Sequence, residues 1–216
     1  MSIRIQNYYF RPTDPINLPK DSGLLMLRHA ERTHILTSSD IYAADLTPAG
    51  RQQAYDFGKR LATMCVIERI VSSPVARCIH TAEEIARGYN PAAPLPVESL
   101  LVLHFDSDLW AIDGIAHGNL NGEALNEFFE EDGLLKTAQI ASAIIERLPF
   151  PRLSTHRAQP GTLPRLTIAV SHDTIVGLVT AHLLQAPNIG LGDYPAFLNG
   201  ICVFQEGGKP RVLPQR

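Results

Sequence analysis

Arg28-His29-Ala30-Glu31-Arg32 follows directly on the apolar run Leu24-Leu25-Met26-Leu27. A buried strand that ends in two guanidiniums, an imidazole and a carboxylate needs a partner for that charge, because desolvated charge is costly. Two later stretches have the same form. Arg69-Ile70-Val71-Ser72 leads into Ser73-Pro74-Val75-Ala76-Arg77, and Leu166-Thr167-Ile168-Ala169-Val170 leads into Ser171-His172-Asp173. Parallel strands bring their C-terminal ends to one edge of a sheet, and α/β proteins bind ligands outside that edge. If the three strands are neighbours, Arg28, Arg32 and Arg77 surround His29 and His172. So many cations call for an anion. A phosphoryl group suits them, since arginine forks match its oxygens in bidentate geometry. The first turns of the helices after Ser73 and Asp173 add positive dipole ends.

Plainer roles compete at each position. His29 could be a core histidine bonded to backbone, Arg77 a surface helix residue, and Asp173 a helix cap, alone or as well as an acid. His80, His104, His117 and His182 are read as structural or surface residues, and Glu31 as a solvated or Arg-paired carboxylate. A metal hydrolase would recruit His29, His34, His172 and Asp173. His29 and His34 lack the His-Glu-x-x-His spacing, so no metal is expected. With no Gly-x-Gly-x-x-Gly and no Walker lysine, a dinucleotide or nucleoside triphosphate site has no support, and no cofactor is expected.

Positioning these groups takes alternating strands and helices. Leu24–Leu27, Arg69–Ser72 and Leu166–Val170 are the clearest strands. Thr47-Pro48 opens a helix with apolar positions Ala54, Phe57, Leu61 and Met64, and Gly50, Ala54 and Gly58 form a small-residue strip along it. Ser73-Pro74 repeats the cap-plus-proline signal before a helix carrying Val75, Ile79, Ala82 and Ile85 and ending near Gly88. Glu98–His104 reads as a further strand. Residues 105–122 show no clean period and contain Asp106, Asp108, Trp110 and Asp113, as a lid or binding loop would. Glu123–Leu148 is helical in pattern, with Gly133 a candidate break. Residues 149–164 are a proline-rich excursion, and Thr174–Gln185 is a helix. Ile201–Phe204 is a strand that Gly207-Gly208 turns back into Val212-Leu213. In residues 1–22, Ile3, Ile5 and Tyr8 could form an edge strand, but Pro12, Pro15 and Pro19 favour an irregular lead-in. The order implies a three-layer α/β/α sandwich with a mainly parallel sheet, a single domain over 1–216 with a small lid or insertion at about 105–164.

The bulk numbers fit. A chain of 216 residues can bury a sizeable core, and a net charge of -3 gives no basic field for nucleic acid or an anionic membrane. Cys65, Cys78 and Cys202 contain no Cys-x-x-Cys pair, and small buried thiols in helices are the default for the first two. No apolar signal segment opens the chain. The expected location is the cytoplasm, and neither nucleic acid nor membrane is an expected partner; oligomeric state is not encoded in any pattern found.

The motifs together resemble the histidine phosphatase superfamily, the phosphoglycerate mutase-like proteins. Arg28-His29-Ala30-Glu31-Arg32-Thr33 is similar to the family's Arg-His-Gly motif, with Ala30 in place of glycine. Leu46-Thr47-Pro48-Ala49-Gly50 with Gln53-Ala54 and Gly58 resembles its first-helix pattern. Ser72-Ser73-Pro74-Val75-Ala76-Arg77-Cys78 with Thr81-Ala82 resembles its second motif. Ser171-His172-Asp173 is similar to the His-Asp motif of the acid phosphatase branch, although His34 stands near where that branch has proline and the chain is shorter than most of that branch. The resemblance implies the phosphoglycerate mutase-like fold and a phosphatase that hydrolyses a small phosphorylated metabolite through a phosphohistidine intermediate. It implies His29 as nucleophile, Arg28, Arg32, Arg77 and His172 as phosphoryl ligands, and Asp173 as proton donor, with Asp106 as the alternative acid. A phosphotransferase or mutase on the same fold, and a non-catalytic phosphoryl-binding relative, are the other functions such a chain could have.

Overall fold

Strand β1, Ser22–Arg28, is buried along its length, and its side chains divide between two cores. Leu24 and Met26 point to one side of the sheet and Leu25 and Leu27 to the other, as the two-residue period of a strand requires. A strand apolar on both faces needs cover on both, which is why the clearest strands read as continuous hydrophobic runs rather than alternating ones. The computed structural model describes residues 4–35, 40–104, 133–151, 161–186 and 193–215.

The described elements are a 3-10 turn at Ile5–Tyr8, β1, a helical turn α1 at Asp40–Ala43, α2 at Pro48–Leu61, β2 at Val66–Ser72, α3 at Ala76–Tyr89, β3 at Val97–Ser99, a 3-10 turn at Leu101–Leu103, α4 at Gly133–Arg147, β4 at Arg165–Ser171, α5 at Asp173–Leu184, β5 at Gly200–Glu206 and β6 at Lys209–Val212. The strands form a sheet in the order β3-β2-β4-β1-β5-β6. β3, β2, β4 and β1 run parallel, and β5 and β6 are antiparallel additions at one edge. The hairpin between them turns on Gly207 and Gly208, whose φ values of 58° and 76° fit a two-residue turn that residues with a Cβ rarely adopt. Helices α2 and α3 cover one face, through Ala54, Phe57, Leu61, Ala82 and Ile85. Helices α4 and α5 cover the other, through Ile140, Ile144, Ile175 and Val179. This is the α/β/α arrangement the pattern of elements implied. No helix among the described residues is long and apolar enough to cross a membrane.

Helices α2 and α3 touch backbone to backbone. A Cβ at Gly58 would lie 2.1 Å from the Ile85 carbonyl oxygen, and one at Gly88 would lie 2.0 Å from that of Tyr55. α3 ends at Tyr89, next to Gly88 as expected, and Gly88 is also a packing residue. Gly58→Ala is expected to destabilise the fold by about 1–3 kcal/mol, read as a lower denaturant midpoint with little change in slope.

The segment before β1 agrees with the sequence reading: it is the irregular lead-in, with a 3-10 turn and an isolated bridge from Phe10 to Gly200, and not the edge strand. Elsewhere the structure departs locally from that reading. The strand expected over Glu98–His104 is only Val97–Ser99, followed by a 3-10 turn. Cys65 lies after α2, not within it, and is buried like Cys78 and Cys202. Of the helical pattern over 123–148, α4 is the described part. The expected lid at 105–122, with Asp106, and most of the 150–164 excursion lie outside the described residues.

Candidate active site

β4 lies between β2 and β1, so the three chemistry-bearing strand ends are adjacent. Register aligns them: Arg28 pairs with Ser171 and Ser72 with Val170. The ladder runs one step further, with His29 N–H donating to the Ser171 carbonyl and Ser73 N–H to that of Val170, both at 2.9 Å. His29, Ser73 and His172 thus emerge side by side at the sheet's C-terminal edge.

His29 is 3% exposed. Its Nδ1 lies 2.8 Å from the Ala30 carbonyl oxygen. A carbonyl only accepts, so Nδ1 carries the proton and Nε2 keeps its lone pair. Arg77 Nε donates to that Nε2 at 3.2 Å. Burial, the largest effect, pushes His29 down to about 3; the Ala30 bond opposes it, and the guanidiniums of Arg77, Arg28 and Arg32 add to it. The ring is a neutral imidazole with a fixed tautomer. Ala30 is itself held, its N–H donating to Thr81 Oγ1 at 3.0 Å while that hydroxyl donates to the Arg77 carbonyl at 2.7 Å.

His172 is equally buried and meets His29 edge-on, with ring centroids 5.7 Å apart. Arg77 Nη2 lies 3.2 Å from His172 Nδ1 and Ser73 Oγ lies 3.0 Å from Nε2. Arginine only donates, so Nδ1 accepts, and the Nε2 proton of the neutral ring points to the serine. Burial, then Arg77, holds His172 well below its ordinary value. One guanidinium therefore bridges both histidines. The Ser73 hydroxyl expected to cap α3 is turned to His172 instead, and α3 begins at Ala76 with no side-chain cap.

Arg28 pairs with Asp173, Nη2 to Oδ2 at 2.9 Å, donates through Nη1 to the Pro195 carbonyl at 3.0 Å, and lies 4.2 Å from the Phe197 ring centroid. Asp173 is the first residue of α5 rather than its cap. Its Oδ1 accepts from the Thr174 N–H at 2.9 Å and hydroxyl at 3.2 Å. Arg32 is the most open of the three arginines and donates to the Thr33 carbonyl at 2.8 Å. Burial lowers all three guanidiniums below their ordinary value and Asp173 raises each back. Glu31 accepts from the Thr47 hydroxyl at 2.9 Å, with no arginine paired to it among the described residues, and Thr47 caps α2 by accepting from Gly50 N–H at 2.9 Å.

The structure thus brings together His29, His172, Arg28, Arg77 and Asp173, with Arg32 close enough to act on Arg28 and Arg77 electrostatically. Three contributors had no clear sequence signal. Ser73 has the pattern of a helix cap, His104 is buried with its ring 5.8 Å from that of His172, and Phe197 packs its ring 5.6 Å from His29. Such a cluster can hold a dianion against three guanidiniums and offer it an imidazole lone pair.

The neutral buried histidines give a stability prediction. The unfolded chain protonates His29 near its ordinary 6.5, whereas the folded chain does so only near 3. Between those values the unfolded state binds more protons, so this residue makes stability fall as pH drops through the window. Urea midpoints of wild type should therefore fall more steeply from pH 6.5 to pH 4 than those of His29→Ala.

Comparison with known proteins bears on the fold. Residues 24–104 match the family model of the histidine phosphatase superfamily, branch 1; the matched residues stop short of His172 and Asp173. No curated protein matches the sequence significantly. Among solved structures, a phosphoserine phosphatase from Entamoeba histolytica in complex with 3-phosphoglyceric acid is similar at 19% identity and a TM-score of 0.55, over 89% of this chain and 95% of that one. A mycobacterial glucosyl-3-phosphoglycerate phosphatase is similar at 16% identity and a TM-score of 0.55, over 90% and 98%. At such identities the likeness shows a shared fold, the phosphoglycerate mutase-like one.

Proposed function

We propose, from the match of residues 24–104 to the histidine phosphatase superfamily, that this chain hydrolyses a small phosphomonoester through a phosphohistidine intermediate on His29. The observation that carries the reading is the Nδ1 bond to the Ala30 carbonyl at 2.8 Å, which leaves the Nε2 lone pair beside Arg77.

The residues fit a two-step transfer. Nε2 of His29 attacks phosphorus, the P–O bond to the alcohol breaks, and the leaving oxygen takes a proton from Asp173. Water then attacks the phosphohistidine, gives its proton to Asp173, and the P–N electron pair returns to Nε2 as inorganic phosphate departs. Arg28, Arg32, Arg77 and His172 hold the phosphoryl oxygens and balance charge during both transfers. Both Asp173 oxygens accept hydrogen bonds in this structure, Oδ2 from Arg28. A phosphoryl dianion on Arg28 competes with that carboxylate for the guanidinium, which would release Oδ2 to carry the proton.

Phosphate release from an aryl phosphate between pH 4 and 8, with chelator and no added metal, tests the reading, together with acid-labile phosphate trapped on His29 by rapid quench. Release that ignores chelator and passes through labelled His29 supports it; release without label on His29 refutes it. Leaving-group dependence tests Asp173 separately. Asp173→Asn should slow hydrolysis of alkyl phosphates by about 10²-fold, with a much smaller effect on para-nitrophenyl phosphate, whose leaving oxygen needs no proton. Equal losses on both would remove Asp173 as the donor and leave Asp106 as the next candidate.

A further inference from the structure

Arg32 stands between two points at which the chain is pinned to the segment ahead of α2. On one side the Thr47 N–H donates to the Glu31 carbonyl at 3.0 Å. On the other the Thr33 N–H donates to the Asp45 carbonyl at 2.9 Å, and the Thr33 hydroxyl donates to the same oxygen at 3.3 Å. Arg32 itself forms an isolated antiparallel bridge with Leu46. Its guanidinium rests on the Thr33 carbonyl, Nη1 to oxygen at 2.8 Å. The peptide that holds the most open of the three arginines is therefore tied to Asp45. Fixing a long side chain in one geometry costs rotamer freedom, and a binding site gains when that cost is met before the ligand arrives.

Asp45 is fixed in turn by the two helices that cover this face of the sheet. Its Oδ1 accepts from His80 Nδ1 of α3 at 2.6 Å and from the Leu46 N–H at 2.7 Å, and its Oδ2 accepts from Arg51 Nη2 of α2 at 2.7 Å. Arg51 reaches on to Glu84 of α3, Nη1 to Oε1 at 3.8 Å, so the cluster joins both helices. Burial by itself raises the Asp45 carboxyl, but the His80 and Leu46 bonds and the charges of His80 and Arg51 outweigh it and hold the group below its ordinary value. The carboxylate that acts on Arg32 by charge is Asp173; Asp45 reaches Arg32 through the chain. We infer that Asp45 is a positioning residue for the phosphoryl site: clamped by His80 and Arg51, it sets the Thr33 peptide and with it the Arg32 guanidinium that meets the phosphoryl oxygens. The inference rests on the phosphatase reading for the place of the phosphoryl group.

A double-mutant cycle on the affinity for inorganic phosphate, measured calorimetrically on the full chain, tests it. Asp45→Asn keeps the shape of the side chain and removes its charge. It should weaken phosphate binding by about fivefold, the scale of coupling within one hydrogen-bonded network. In an Arg32→Ala background the same substitution should cost less than about twofold, because the group it positions is gone. Equal losses in both backgrounds, or no loss where Arg32 is present, overturn the proposal. Arg51→Ala takes one partner from Asp45 and runs the same cycle. It should weaken binding by about two- to threefold only where Arg32 is present, and it decides the matter if Asp45→Asn does not fold. With an aryl phosphate the Asp45→Asn loss should fall on KM and leave kcat within about twofold, since Arg32 holds the phosphoryl oxygens before as well as during transfer. A loss confined to kcat also overturns the proposal. The phosphate titration needs no turnover, which separates this result from the phosphatase reading. An inert wild type with an Arg32-dependent effect of Asp45 would remove the catalytic reading and keep the clamp. Turnover with an Arg32-independent effect would do the reverse.

Discussion

His29→Ala is expected to lower phosphate release by at least about 10⁴-fold, the scale on which enzymes lose activity with their nucleophile. The residue is poised for that role in three ways. Its tautomer is fixed by Ala30, its protonation is suppressed down to about 3, and its Nε2 sits within 3.2 Å of Arg77 Nε. Binding should survive the substitution, since Arg28, Arg32, Arg77 and His172 remain. Inorganic phosphate titrated calorimetrically into His29→Ala should therefore still bind, within about tenfold of wild type, because the lost ring is neutral and contributes no ionic attraction. Retained turnover in a variant that binds phosphate normally would show that a water, not His29, is the first nucleophile. Loss of both binding and turnover would mean that the ring holds the pocket open rather than reacting within it.

The sequence made much of this site legible because its parts lie at strand ends. Leu24–Leu27 and Leu166–Val170 are apolar on both faces, which only a strand covered from both sides tolerates, and each stops at charge. What it could not reveal was where a side chain goes once the ends converge. Ser73-Pro74 has the form of a helix start, yet His172, brought in from 99 residues away, takes the Ser73 hydroxyl and the helix begins three residues later without a cap. The helix does end next to Gly88, at Tyr89, but the close contact with Tyr55 that its missing side chain permits had no local signal. Phe197 sits in a short turn with no period, so nothing local marked it as the ring packed on Arg28 and His29. Local propensity predicts elements well where burial agrees with it; at the site, long-range polar contacts decide.

Arg77→Ala is expected to lower turnover on the order of 10³-fold, the effect of removing a donor aimed at developing charge, while leaving stability within about 1 kcal/mol of wild type. The asymmetry follows from what Arg77 touches. It is 6% exposed, and burial opposes its charge. In the structure it bridges two imidazoles that are themselves neutral. A buried cation stabilises a fold little where desolvation offsets what its hydrogen bonds contribute. Its backbone carbonyl, not its side chain, accepts from Thr81, so the link that holds Ala30 survives truncation. Alanine also suits a helix interior. A phosphoryl dianion changes the balance, since the guanidinium then meets full negative charge in a dry pocket. Arg77→Lys restores the charge but not the fixed fork that reaches both histidines, so it should recover only part of the lost turnover. Urea unfolding and phosphate release measured on the same preparations decide the matter. Parallel losses of stability and turnover would make Arg77 a structural bridge between His29 and His172; loss of turnover alone makes it a ligand of the group being transferred.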